Sequence, residues 1–133
     1  MWVEENLNPI ARTVGDCSVR AVAKVLDTDW ETAYIKLAMA GYQMGNLLNA
    51  NEVISAVLRK HGFYRAIPED CPDECPTVED FLSTHKEGRF LIGCNEHVVA
   101  AVDGNYYDIW DSGDEPVFYY WYQKNKKGVN DNA

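Results

Sequence analysis

The strongest constraint on this chain is one dipeptide, Asp103-Gly104, set between two runs of strand-forming residues. Asp-Gly supplies the positive φ angles that a tight two-residue antiparallel turn needs. It predicts a hairpin of strands 97–102 and 105–110 and fixes their register. Val102 pairs with Asn105, Val99 with Asp108 and His97 with Trp110. Side chains alternate across a strand, so His97, Val99, Asp108 and Trp110 share one face and Asp111 falls on the other. His97 and Asp108 are then diagonal neighbours, with backbone positions about 7–8 Å apart. That spacing lets a carboxylate accept a hydrogen bond from the imidazole.

Around this hairpin the periodicity divides the chain in two. The N-terminal part reads helical. Asp16 is placed to cap a helix from residue 17 to about 26, with Val19, Val22, Ala23 and Leu26 on its apolar stripe. Thr28-Asp29-Trp30-Glu31 has the capping-box pattern of a second helix, whose stripe is Trp30, Ala33, Tyr34, Leu37 and Ala38. A glycine-containing loop is expected at 41–45. A third helix is expected at about 51–61, with Val53, Ile54, Val57 and Leu58 inward and Gly62 at its end. An extended piece at 63–67 and a loop at 68–76 follow. Thr77 then starts a short helix that Gly88 ends. Strands are expected at 89–94 and 116–122, and the polar tail 124–133 is expected to fray. Helices followed by an antiparallel sheet describe a single α+β domain over 1–133, a size at which one core suffices.

Charge removes several classes of function. Twelve Lys and Arg against 21 Asp and Glu give a net charge of −9. Nucleic acid and anionic membrane surfaces both need a basic face, so neither is expected as a partner. The first eight residues carry Glu4 and Glu5 and no hydrophobic run, which does not fit a signal peptide and makes the cytoplasm the default compartment. In that compartment structural disulfides are rare, so all four cysteines are read as thiols.

Cys17 falls in the first turn of a predicted helix, where unpaired N–H groups and the helix dipole favour a thiolate. Set against this is the ordinary fate of a free cysteine, burial as a small hydrophobe. A histidine beside apolar residues is likewise more often a core residue than a catalyst, and an isolated strand carboxylate is commonly solvated. Order and context join the three. A helix-starting Cys, a strand-starting His and a hairpin-partner Asp resemble the papain-like cysteine peptidase superfamily. Gly15-Asp16-Cys17-Ser18-Val19-Arg20-Ala21 is similar to the nucleophile helix of its compact bacterial and phage members. Asp108-Ile109-Trp110-Asp111 is similar to the family's Asn-Ser-Trp element. The resemblance implies Cys17 as nucleophile, His97 as its base, Asp108 as the group that orients the ring and Trp110 as the shield over that contact. It implies a hydrolase acting on an amide or peptide bond of a protein or peptide, with a basic substrate suited to the acidic chain. No cofactor or metal is expected.

The chain departs from the family in one place. Ala11, Arg12 and Thr13 stand where a glutamine usually serves the oxyanion hole, and no glutamine precedes Gln43. The Cys17 N–H supplies one donor; Asn8, Thr13 or a side chain from elsewhere supplies the other, with Asn8 the candidate chosen. Two further readings stay open beside the hydrolase. An acyltransferase would use the same triad with an amine in place of water. A weakly active or inactive binding module or effector would fit the acidic balance and the missing glutamine. Cys71-x3-Cys75 with Cys94-x2-His97 would make a Cys3His zinc set, but a proline-flanked Cys-x3-Cys is not a typical knuckle.

Overall fold

The structure, a computed structural model, describes residues 1–124; of the tail expected to fray, all but Lys124 lies outside the described residues. Asp103 and Gly104 have φ angles of 50° and 88°, the paired positive values of a type I′ turn. The turn joins β4 (His97–Val102) to β5 (Asn105–Asp108), with Val102 opposite Asn105 as the dipeptide predicts. On its other edge β4 pairs with β3 (Arg89–Cys94), from Arg89 opposite Val102 to Cys94 opposite His97.

Alternation along these strands builds two cores. Leu91, Val98 and Ala100 face one way, onto α1 (Cys17–Val25), α2 (Trp30–Met44) and α3 (Asn51–Arg59). Phe90, Ile92, Val99 and Ala101 face the other way, onto α4 (Val78–Thr84). Both faces of the central strands are therefore covered, which is why they read as near-continuous apolar runs. Arg89 donates to the Lys24 and Val25 carbonyls and ties the C-terminal end of α1 to the sheet.

The sheet departs from the antiparallel expectation. It has six strands among the described residues, in the order β1-β5-β4-β3-β6-β2. The N-terminal β1 (Trp2–Glu4) runs parallel to β5, with Trp2 opposite Tyr106, so the sheet is mixed. Trp2-Val3-Glu4, followed by a second glutamate, carries too short an alternation to declare a strand. The far edge is β2 (Phe63–Ala66), reached through β6 (Tyr119–Gln123). β6 begins later than expected because Pro116 has no N–H to give a ladder and Val117 donates instead to the Pro76 carbonyl. β5 ends at Asp108, two residues early.

Helix α2 overturns the expected loop at 41–45. It continues to Met44, and Gly45 closes it at φ 67°. Gly41 is buried inside it because the chain folds straight back over that position. A Cβ there would stand 2.8 Å from the Asn46 carbonyl oxygen. Asp29, not Thr28, is the cap, accepting from the Thr32 N–H, and Tyr34 is exposed rather than buried. The cysteine expectation also changes. Cys71 and Cys75 form a disulfide across a turn that brings their Cα atoms within 4.5 Å, leaving Cys17 and Cys94 as free thiols. The zinc set is not assembled. No group of three or more His, Cys, Asp or Glu is placed to hold a metal among the described residues. No helix among them is long and apolar enough to cross a membrane.

Candidate active site

His97 opens β4 and Asp108 closes β5, so both stand at the same end of the sheet. The packing of α1 on β4 brings the first residue of that helix, Cys17, to the same place. The His97 ring donates from Nε2 to Asp108 Oδ2 at 2.6 Å. Cys17 lies close enough to the same ring for each group to shift the other, and with Nε2 taken by Asp108, Nδ1 is the ring nitrogen left for the sulfur. Trp110 lies against the imidazole, with ring centroids 5.0 Å apart and its outer face exposed. Asp111 takes no part. It accepts from the Tyr106 hydroxyl and the Gly113 N–H.

The electrostatics follow from burial and partners. Burial alone would push the Cys17 thiol up. Hydrogen bonds from His97 and the Val98 N–H, with the charges of His97 and Arg20, outweigh it and lower the pKa. Burial would push His97 down, but hydrogen bonds to Asp108 and Cys17 and their charges raise it to about 9. Asp108 is 1 % exposed, and burial opposes its ionisation. Its bonds from His97, Ser112 Oγ and the Ile109 N–H keep the carboxyl below its ordinary value all the same. A thiol lowered beside an imidazole raised is the direction that favours a thiolate–imidazolium pair, the charged state that a cysteine nucleophile needs. Cys94, opposite His97 in the ladder, is pushed up to about 12, first by burial and then by nearby negative charges, and stays a thiol.

Asp16 differs from its expected role. It is the residue before α1, yet its side chain makes no capping bond to the helix. Its carboxylate instead accepts from Arg20 Nε at 2.8 Å, Trp30 Nε1 at 3.0 Å and Asn8 Nδ2 at 3.2 Å. The charge that could have opposed a Cys17 thiolate is thus tied to a guanidinium. Asn8 is buried beside it, with one Nδ2 hydrogen given to Asp16 and the other left for a further acceptor. The Cys17 N–H, at the first helical position, has no intrahelical acceptor. Three contributors went unread in the sequence: Arg20, Ser112 and the Trp30 indole. For Arg20 a signal existed in its i, i+4 spacing from Asp16.

A cleft of about 560 Å³ adjoins this corner. Ile10, Gly15, Asp16, Val19, Trp30 and Tyr34 are among the residues that line it. No family model, curated protein or solved structure matches the chain.

Proposed function

We propose that the chain is a papain-like cysteine hydrolase that cleaves an amide or peptide bond through a thioester. The observation that carries this reading is the 2.6 Å hydrogen bond from His97 to Asp108 with Cys17 beside the same ring, the thiol lowered and the imidazole raised. The Cys17 thiolate attacks the substrate carbonyl carbon, and the carbonyl electron pair moves onto oxygen. The Cys17 N–H and the second Asn8 amide hydrogen are the donors assigned to that oxyanion. His97 then gives its proton to the leaving amine as the tetrahedral intermediate collapses to the thioester. Water, deprotonated by the neutral His97, attacks the thioester and restores the thiolate. An amine in place of water would make the product of an acyl transfer.

The substrate assigned to this site is a protein or peptide. A net charge of −9 favours a basic one. The cleft beside Cys17 is suited to an apolar substrate side chain next to the scissile bond. A cytoplasmic setting would keep Cys17 reduced and would disfavour the Cys71–Cys75 disulfide.

The test is the pH dependence of alkylation at each free cysteine, read by peptide mass spectrometry. Cys17 reacts with a midpoint well below the unperturbed value of about 8.5, and His97→Ala moves that midpoint upward. Cys94 stays unreactive through neutral pH. An ordinary titration of Cys17, unmoved by the loss of His97, would replace the enzyme with the binding module.

A further inference from the structure

The buried charges at this corner outnumber the three residues of the proposed chemistry. Arg20 is 8 % exposed and Asp16 is 8 % exposed; Asp16 directly precedes the nucleophile and Arg20 follows it three positions later on α1. Resting on the reading of Cys17, His97 and Asp108 as a catalytic line, we propose that Arg20, anchored by Asp16, is the positioning residue that holds the Asp108 carboxylate in register with His97.

The argument is a count of lone pairs. Asp108 Oδ2 accepts from His97 at 2.6 Å and Ser112 Oγ at 2.9 Å. Oδ1 accepts from the Ile109 N–H at 2.8 Å and Arg20 Nη1 at 3.2 Å. All four acceptor positions are filled, and besides His97 itself, from β4, Arg20 is the donor that reaches the carboxylate from another element. With Oδ1 held from α1 and from the chain's own next N–H, the carboxylate plane cannot turn Oδ2 away from the imidazole. Arg20 is itself held. Its Nε is bonded to Asp16, whose other oxygen takes Asn8 and Trp30. The guanidinium thus spans from the residue preceding α1 to the end of β5, so the helix that carries the nucleophile also aims the orienting group. A lysine ammonium, a single point charge, has no matching fork. A buried guanidinium between two carboxylates is a poor way to stabilise a fold, because desolvation offsets most of the attraction. A role in placing charge accounts for it better. Cys17 and Arg20 from α1, Asp108 from β5 and Cys94 from β3 are the titratable groups around His97, and Cys94 is neutral there.

The test uses a sign. In the full chain, the His97 pKa is read by NMR of its ring carbon in wild type, Arg20→Gln and Arg20→Lys, with His97→Ala identifying the resonance. If Arg20 acts only as a nearby positive charge, Arg20→Gln raises the His97 pKa and Arg20→Lys leaves it alone. If Arg20 positions Asp108, both variants lower it from about 9 by about one unit or more, because the carboxylate turns and the hydrogen bond is lost. The Cys17 alkylation midpoint rises with it. A rise or no change in His97 in folded variants overturns the assignment. The lysine variant carries the test alone if the glutamine variant does not fold, and failure of both to fold reads Arg20 as scaffold and also overturns it. A wild-type His97 that titrates near 6.5 beside an ordinary Cys17 overturns the hydrolase reading itself. A raised wild-type His97 that both variants leave in place overturns only the role of Arg20.

Discussion

Asp108 and Asp111 stand three positions apart, and each carboxylate accepts from a nearby backbone N–H. What distinguishes them is the ladder. Val102 opposite Asn105 makes Asp108 the last residue of β5, beside the start of β4, while Asp111 lies past the strand and meets Tyr106. Burial sharpens the difference, since Asp108 is enclosed with four donors and ionises against desolvation. Asp108→Asn keeps the shape and removes the charge that raises His97. Its expected outcome is a His97 pKa well below about 9 and a Cys17 alkylation midpoint shifted upward by about a unit. Asp111→Asn is expected to leave both unchanged, because Asn still accepts from Tyr106 and Gly113 and reaches no group of the site. A Cys17 profile that responds to position 111 and not to 108 would reverse the assignment of the orienting carboxylate.

Helix starts show which parts of this fold its sequence spells out. Thr77 and Asp29 are caps of the ordinary kind, each accepting from an N–H three residues on, at Asp80 and Thr32. Asp16 has the same position and a suitable side chain, yet its carboxylate is turned to Arg20, Trp30 and Asn8. Local rules see only the nearest N–H groups, so they could not show that a partner arrives from α2. The same limit hid β1, whose pairing with β5 spans most of the chain, and the continuation of α2 through Gly41, which depends on residues 46–48 lying over it. By contrast β3 and β4 were legible to the residue, because continuous apolar runs bounded by turn residues need no distant information. The contact of His97 with Asp108 was legible for the same reason, through one turn. The two kinds of aspartate predict different costs. Asp29→Ala should destabilise only mildly, by the loss of one exposed cap. Asp16→Ala should cost about 3 kcal/mol or more, because it strands a buried guanidinium with one of its two carboxylates gone. Denaturant unfolding of both variants checks this, and equal losses would mean that Asp16 is a cap after all.

At the scale of the whole molecule, the proton balance of the Cys17–His97 pair sets how stability depends on pH. His97 is raised from an ordinary value near 6.5 to about 9. By linkage its contribution is fully present below about 6.5 and is lost as pH rises toward 9. At about 1.4 kcal/mol per unit this amounts to no more than about 3.5 kcal/mol. Cys17 works in the opposite sense. Its pKa is lowered from 9.0, so its contribution is present above 9 and is lost as pH falls through the folded value. The two energies are one interaction seen from both partners and must not be added. Wherever in this window the lowered thiol is ionised, folding moves a proton from sulfur to imidazole without taking one from solution. The proton counts of the folded and unfolded states then match more closely than for His97 alone, and the pair flattens the dependence of wild-type stability on pH. Cys17→Ala removes the compensating partner and leaves His97 raised by Asp108. The variant should lose stability steadily as pH rises across that window, with a steeper negative slope than wild type. Chemical unfolding at several pH values from about 6 to 9.5 reads both slopes directly. If the two curves run parallel, Cys17 and His97 do not share a proton in the folded protein, and the thiolate–imidazolium pair is absent.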